Sequence, residues 1–129
     1  MQVEHIGYVV KNINKSVVEF EKLGYVKSSV LYEDVKRKIK VLFMKNGSLK
    51  IELVEPMDET SDAYTYMKKL RNAPYHICYL VDDIDRSIEE LNSDGYLIVK
   101  EKDYATAFEG RKVCFLYKEG IGLIEIVEK

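Results

Sequence analysis

Apolar and polar positions alternate along residues 3–10 and again along 75–81, in runs rich in Ile, Val and Tyr. That period predicts half-buried strands. A helical period follows each one. Val17, Phe20 and Leu23 recur at helical spacing behind Asn14, a candidate cap, and the pattern stops at Gly24. Ile88 and Leu91 repeat the arrangement behind Asp85 and stop at Gly95. Three strand-like runs then close each stretch, at about 25–32, 37–45 and 48–55, and at about 96–102, 111–117 and 121–127. Asn46-Gly47 and Glu119-Gly120 mark tight turns between the last two runs. The predicted unit is therefore βαβββ, written twice. Between the units, Ser61 is a candidate cap for a short helical pattern of Ala63, Tyr66, Met67 and Leu70, which must end before Pro74.

The two units are a repeat. His5-Ile-Gly-Tyr-Val-Val-Lys-Asn-Ile returns as His76-Ile-Cys-Tyr-Leu-Val-Asp-Asp-Ile, an offset of 71. Ser16 matches Ser87, and Gly24-Tyr25 matches Gly95-Tyr96. Val41-Leu42-Phe43 then matches Val113-Cys114-Phe115, and Ile51-Glu52 matches Ile124-Glu125, with a small drift that suits loop insertions. The expected fold is α+β. Two tandem βαβββ modules, about 1–55 and 75–129 with a connector at 56–74, form a single domain over 1–129. Their curved mixed sheet encloses a cleft. A connector of this length can keep both modules in one cleft within one chain, although exchange of halves between subunits stays open.

The repeat places four ligand-type side chains at equivalent positions: His5 and His76 on the first strands, Glu52 and Glu125 on the last. Strand alternation sorts the faces. Ile6, Tyr8 and Val10, like Ile77, Tyr79 and Val81, face the helices, so each histidine faces the other way. Glu52 lies between Ile51 and Leu53, and Glu125 between Ile124 and Ile126, which turns both carboxylates to the histidine face. A lone strand histidine is ordinarily a satisfied polar residue, and a lone strand glutamate a solvated edge. Recurrence of a charge inside the same apolar tripeptide in both halves favours a shared site. Two imidazoles and two carboxylates suit Zn, Ni, Co, Mn or Fe(II), with positions left open for substrate oxygens.

Composition narrows the classes. The chain has 129 residues, of which 47% are hydrophobic, and its 20 Lys+Arg against 22 Asp+Glu leave a net charge of −2. That argues against disorder and against nucleic-acid binding. No apolar run approaches the ~20 residues of a membrane span, and Met1-Gln2-Val3-Glu4-His5 does not open a secretory signal, so a cytoplasmic protein is expected. Cys78 and Cys114 sit apart in strand-like runs and read as two buried reduced thiols. Lys36-Arg37-Lys38 and Arg111-Lys112 read either as solvated strand edges or as recognition of an anionic substrate tail, with Arg111, Arg37 and Lys38 the candidate substrate-binding residues. Tyr64 and Tyr66 in the connector are candidates for a lid.

The strongest segments are His5-Ile-Gly-Tyr-Val-Val, Ile51-Glu52-Leu53-Val54-Glu55-Pro56, Pro74-Tyr75-His76-Ile77, Gly110-Arg111-Lys112-Val113-Cys114-Phe115-Leu116 and Leu123-Ile124-Glu125-Ile126. Over nearly the whole chain they resemble the vicinal oxygen chelate superfamily. The resemblance to its bacterial glyoxalase I branch implies a metal held by His5, Glu52, His76 and Glu125, with Ni, Co or Zn as the expected ion. It implies a lyase/isomerase that converts a 2-oxoaldehyde–thiol hemithioacetal to a 2-hydroxyacyl thioester through an enediolate. Glu125 is then the expected base, with Glu52 as second candidate and glutathione or another thiol as co-substrate. Bleomycin-binding members lack the metal ligands, and the extradiol dioxygenase and fosfomycin-resistance branches use a three-ligand plan. The alternative is a methylmalonyl-CoA epimerase-like acyl-CoA epimerase, which the Ile-Glu-Leu-Val-Glu-Pro segment resembles. Those epimerases carry a Glu-Gln-Gly stretch where this chain has Lys36-Arg37-Lys38, with Glu33 and Asp34 as nearby substitutes. An alternative of another class is a non-catalytic small-molecule binding protein. The resemblance also implies a homodimer, and no nucleic acid or membrane partner.

Overall fold

In the computed structural model, which describes residues 1–129, nine strands and three helices alternate as an α+β protein. The chain divides into two compact units, His5–Tyr75 and His76–Lys129 with Met1–Glu4.

The first unit holds most of β1 (Gln2–Val9), then α1 (Ile13–Lys22), β2 (Val26–Lys27), β3 (Tyr32–Asp34), β4 (Ile39–Asn46), β5 (Leu49–Pro56) and α2 (Asp62–Leu70). Its strands run in the order β2-β4-β5-β1, with β3 also on β4. β4 and β5 form the hairpin expected at Asn46-Gly47, where Gly47 takes φ +59, a left-handed value that glycine adopts without strain. β5 then returns parallel to β1, with Gly7 opposite Glu52. The first and last strands of the unit are thus neighbours. Val10, Ile13, Val17, Leu42, Met44, Ile51 and Leu53 form one buried cluster between sheet and helix, with Ile6, Tyr8, Phe20 and Tyr25 packed on it. The alternation predicted for β1 is the one observed.

The second unit repeats the plan with β6 (Ala73–Val81), α3 (Ile84–Ser93), β7 (Leu97–Ala105), β8 (Arg111–Lys118) and β9 (Gly122–Glu128), in the order β6-β9-β8-β7. β6 and β9 are parallel, with Cys78 opposite Glu125. Val81, Ile84, Cys114, Leu116, Ile124 and Ile126 form the matching core, and Tyr79, Ile88 and Leu91 pack against it.

Three local expectations are corrected. The helix caps are Asn12 and Asp83, not Asn14 and Asp85. Each cap is extended, and its side chain accepts the N–H three residues on, from Lys15 and Arg86 at 3.1 Å. A further carboxylate serves the first helical N–H of each: Glu55 accepts from Ile13 at 2.7 Å and Glu128 from Ile84 at 3.0 Å. The run expected at 25–32 is broken into β2 and β3. Ser29 causes the break, because its hydroxyl accepts the Phe43 N–H at 2.9 Å in place of a strand carbonyl. Ser61 stands at the N-cap of α2, but its hydroxyl donates to the Arg37 carbonyl at 3.1 Å instead of capping. No helix is long and apolar enough to cross a membrane.

Candidate metal and substrate site

Within the first unit, His5 and Glu52 meet on the sheet face turned away from α1. Gly7 lies opposite Glu52 and has no side chain, so the His5 ring, two residues back on the same face, reaches the carboxylate. His5 Nε2 stands 3.5 Å from Glu52 Oε1, with side chains 0% and 8% exposed. Phe43, across from Glu52 on β4, meets the imidazole edge-on, with centroids 5.6 Å apart.

The second unit builds the same pair. His76 Nε2 stands 3.3 Å from Glu125 Oε1, with side chains 0% and 3% exposed. Phe115, across from Glu125 on β8, meets His76 edge-on at 5.2 Å. The four strand faces derived from the sequence are the ones observed, and the pairing of each histidine with the glutamate of its own unit is added by the structure. The role of Phe43 and Phe115 was carried by the repeat as well. Both occupy the third place of the matched tripeptides and pack edge-on against the imidazole of their unit.

A carboxylate buried to this degree is costly to hold without a positive partner. A protonated imidazole is one solution. A cation is the other, because imidazole nitrogen and carboxylate oxygen are both good ligands for divalent transition metals. His5, Glu52, His76 and Glu125 are all buried, and each offers one donor atom of this kind. The donor set fits a divalent ion.

The basic residues divide. Lys38 is engaged inside its own unit, where Nζ donates to Thr60 Oγ1 at 2.6 Å and lies 4.0 Å from Asp58. Hydrogen bonds from the Thr60 hydroxyl and N–H, and the Lys38 charge, hold the Asp58 carboxyl below its ordinary range. Arg37 faces Asp34, with Nε 3.9 Å from Oδ2, and its backbone N–H also donates to Asp34. The turn between β3 and β4 is thus tied down by the residues expected to greet an anion. Arg111 opens β8, and its Nε donates to the Phe108 carbonyl at 3.3 Å. In the connector, Tyr66 packs against Tyr75 with centroids 5.2 Å apart, and burial pushes its phenol pKa up. Both cysteines are buried, and neither is in a disulfide. Burial, with lesser help from Glu101 and Glu125, pushes the Cys114 thiol up to about 11.

The chain is similar to several known proteins. The family model described as "Glyoxalase/Bleomycin resistance protein/Dioxygenase superfamily" matches residues 4–115. The uncharacterized protein YqjC of Bacillus subtilis is 25% identical over 118 residues, covering 89% of this chain and 81% of that protein. Human mitochondrial methylmalonyl-CoA epimerase is 23% identical over 128 residues, covering 97% of this chain and 72% of that protein. A variant of Streptomyces coelicolor methylmalonyl-CoA epimerase, in complex with 2-nitronate-propionyl-CoA, superposes with a TM-score of 0.85 at 18% identity. That match covers 100% of this chain and 94% of the other. The named relatives are epimerases, so they back the epimerase alternative over the glyoxalase I type.

Proposed function

The chain belongs to the glyoxalase/bleomycin resistance protein/dioxygenase superfamily, and from that premise we propose that it is a metal-dependent acyl-CoA epimerase. The observation that carries the reading is the buried His–Glu pair on the first and last strands of each unit. The epimerase names of the relatives direct it toward an acyl-CoA thioester.

In this reading His5, Glu52, His76 and Glu125 together hold one divalent cation. When bound, the ion supplies Lewis acidity toward a substrate carbonyl oxygen. The protein's own groups do the proton work. Glu125 removes the proton from the carbon next to the thioester carbonyl, and Glu52 is the carboxylate proposed to return one on the opposite face. Phe43 and Phe115 pack edge-on against the imidazoles and hold each ring beside its carboxylate. Positioned proton transfer of this kind is worth roughly 10²–10⁴-fold. One feature favours a second reading. Where the epimerase-like pattern expects a carboxylate, Lys36-Arg37-Lys38 form the β3–β4 turn, and Lys38 and Arg37 bond to Thr60 and Asp34. A hemithioacetal isomerase of glyoxalase I type moves its proton with Glu125 alone.

The deciding experiment incubates purified protein of measured metal content in deuterated water, once with one epimer of methylmalonyl-CoA and once with a methylglyoxal–glutathione hemithioacetal. The expected result is deuterium at the α-carbon with loss of stereochemistry, abolished by a chelator and by Glu125→Gln. A lactoylthiol product from the second substrate, with no exchange in the first, overturns the epimerase reading in favour of the second. Protein that retains no metal and exchanges neither substrate overturns both.

A further inference from the structure

The strand that carries Phe115 into the site begins at Arg111, and these two residues share a face of it. Phe115 lies opposite Glu125 and Val113 opposite Val127, while Cys114 and Leu116 point into the core beneath α3. Alternation puts Arg111 on the face of Glu125 and His76. Four residues of extended strand separate Arg111 from Phe115, a span of roughly 13 Å.

The guanidinium is held in place. Its Nε donates to the Phe108 carbonyl at 3.3 Å, and its carbon stands 5.3 Å from the centre of the buried Phe108 ring. The loop that presents Phe108 is closed by the Gly110 N–H on the Ala105 carbonyl and the Glu109 N–H on the Thr106 carbonyl. Glu109 pays for that closure with φ +56, a left-handed value few glutamates adopt. Ala105, directly across the ladder from Arg111, is small and buried, so no bulky neighbour covers the guanidinium from that side. The adjacent Lys112 turns to the other face of the strand and pairs with Glu128 at 3.8 Å. Arg111 is thus a half-buried cation whose Nε donates to the Phe108 carbonyl and whose guanidinium lies over the Phe108 ring. The terminal nitrogens, the fork that fits a phosphate or carboxylate, are the part left to bind.

We propose that Arg111 anchors the phosphate end of a long-armed thioester whose reacting carbon lies at Glu125. This rests on the acyl-CoA reading above and names the part of the substrate that the chain selects. An arm of pantetheine length reaches from the thioester to an anion at this distance. A short acyl thiol ends before it. Arg111 is therefore a specificity residue and takes no part in the proton transfer.

The test titrates CoA and, separately, pantetheine into the full chain by calorimetry, for the wild type, Arg111→Gln and Arg111→Lys. Arg111→Gln is expected to weaken CoA binding roughly 10- to 100-fold, the range of a lost charge-assisted hydrogen-bond pair, and to leave pantetheine unchanged. Arg111→Lys keeps the charge without the fork and is expected to fall between. In turnover with an acyl-CoA, KM rises and kcat stays within about two-fold. Equal weakening of both ligands, or CoA binding unchanged in Arg111→Gln, overturns the proposal. If Arg111→Gln melts early, the CoA-to-pantetheine ratio in Arg111→Lys decides instead. The two readings fail separately. Selective loss of CoA binding in a protein that exchanges no α-proton removes the epimerase and keeps the anchor. Proton exchange that survives Arg111→Gln at unchanged KM removes the anchor and keeps the epimerase.

Discussion

Glu128→Ala tests whether the last strand holds the helix of its unit. The carboxylate of Glu128 accepts the Ile84 N–H at 3.0 Å. Ile84 opens α3 and is fully buried, so without Glu128 its N–H loses its partner away from water. A hydrogen bond to a charged group contributes about 1.5–3 kcal/mol, and a carboxylate at a helix N-terminus about 0.3–1 kcal/mol more. The partly exposed pair with Lys112 at 3.8 Å adds little after solvent screening. The expected loss is about 2.5 kcal/mol. At ~2.1 cal/mol/K per residue, the 129 residues unfold with an entropy of about 0.27 kcal/mol/K, so Tm should fall by about 9 °C. Glu128→Gln keeps an acceptor oxygen and loses the charge, so it should fall about half as far. The assay is a circular-dichroism melt with parallel urea titration, and amide exchange at Ile84 reports the site directly. A Glu128→Ala protein that melts within about 2 °C of wild type refutes the clamp, as does an unchanged exchange rate at Ile84.

Two other outcomes follow from single contacts. Ser29→Ala removes the acceptor of the Phe43 N–H and should cost about 1–2 kcal/mol in a urea titration; unchanged stability would mean the strand re-pairs across the break. The Cys114 thiol has its pKa raised to about 11 by burial, so the folded state holds its proton where an unfolded thiol has lost it. Stability contributed this way is complete below about pH 8.5, the pKa of an unfolded thiol, and is lost as pH rises toward 11. The pH dependence of Cys114→Ala should accordingly be flatter over that window, and identical slopes would refute the assignment.

The repeat made the chemistry legible because it fixed equivalence without any knowledge of pairing. Once His5 matched His76 and Glu52 matched Glu125, strand alternation supplied the faces, and the buried pairs at 3.5 and 3.3 Å follow. What stayed hidden depends on single side chains competing for backbone groups. The Ser29 hydroxyl intercepts one N–H and ends a strand that periodicity extends. Asn12 and Asn14 are both plausible caps by type, and only the extended backbone at Asn12 decides between them. Lys38 looks like an exposed cation in sequence, but its ammonium is engaged by Thr60. Glu55 and Glu128 occupy matching places in the repeat, three residues past Glu52 and Glu125, but a helix clamp has no periodicity to announce it.

That spacing of three carries a consequence for how the fold and the chemistry are divided. On a strand, residues three apart face opposite ways. Glu52 turns to His5 while Glu55 turns to the N-terminus of α1, and Glu125 turns to His76 while Glu128 turns to that of α3. Each last strand therefore carries one carboxylate on each face, one beside an imidazole and one under a helix. The helix-side carboxylate is stabilised by N–H donors inside its own unit. The imidazole-side carboxylate is buried beside a group that is a cation only when protonated, and it gains most from a ligand or a metal. Helix capping thus accounts for the placing of Glu55 and Glu128, while Glu52 and Glu125 stand beside the imidazoles. The repeat keeps both pairs, so each unit carries on one strand a carboxylate that caps its helix and another that faces its imidazole.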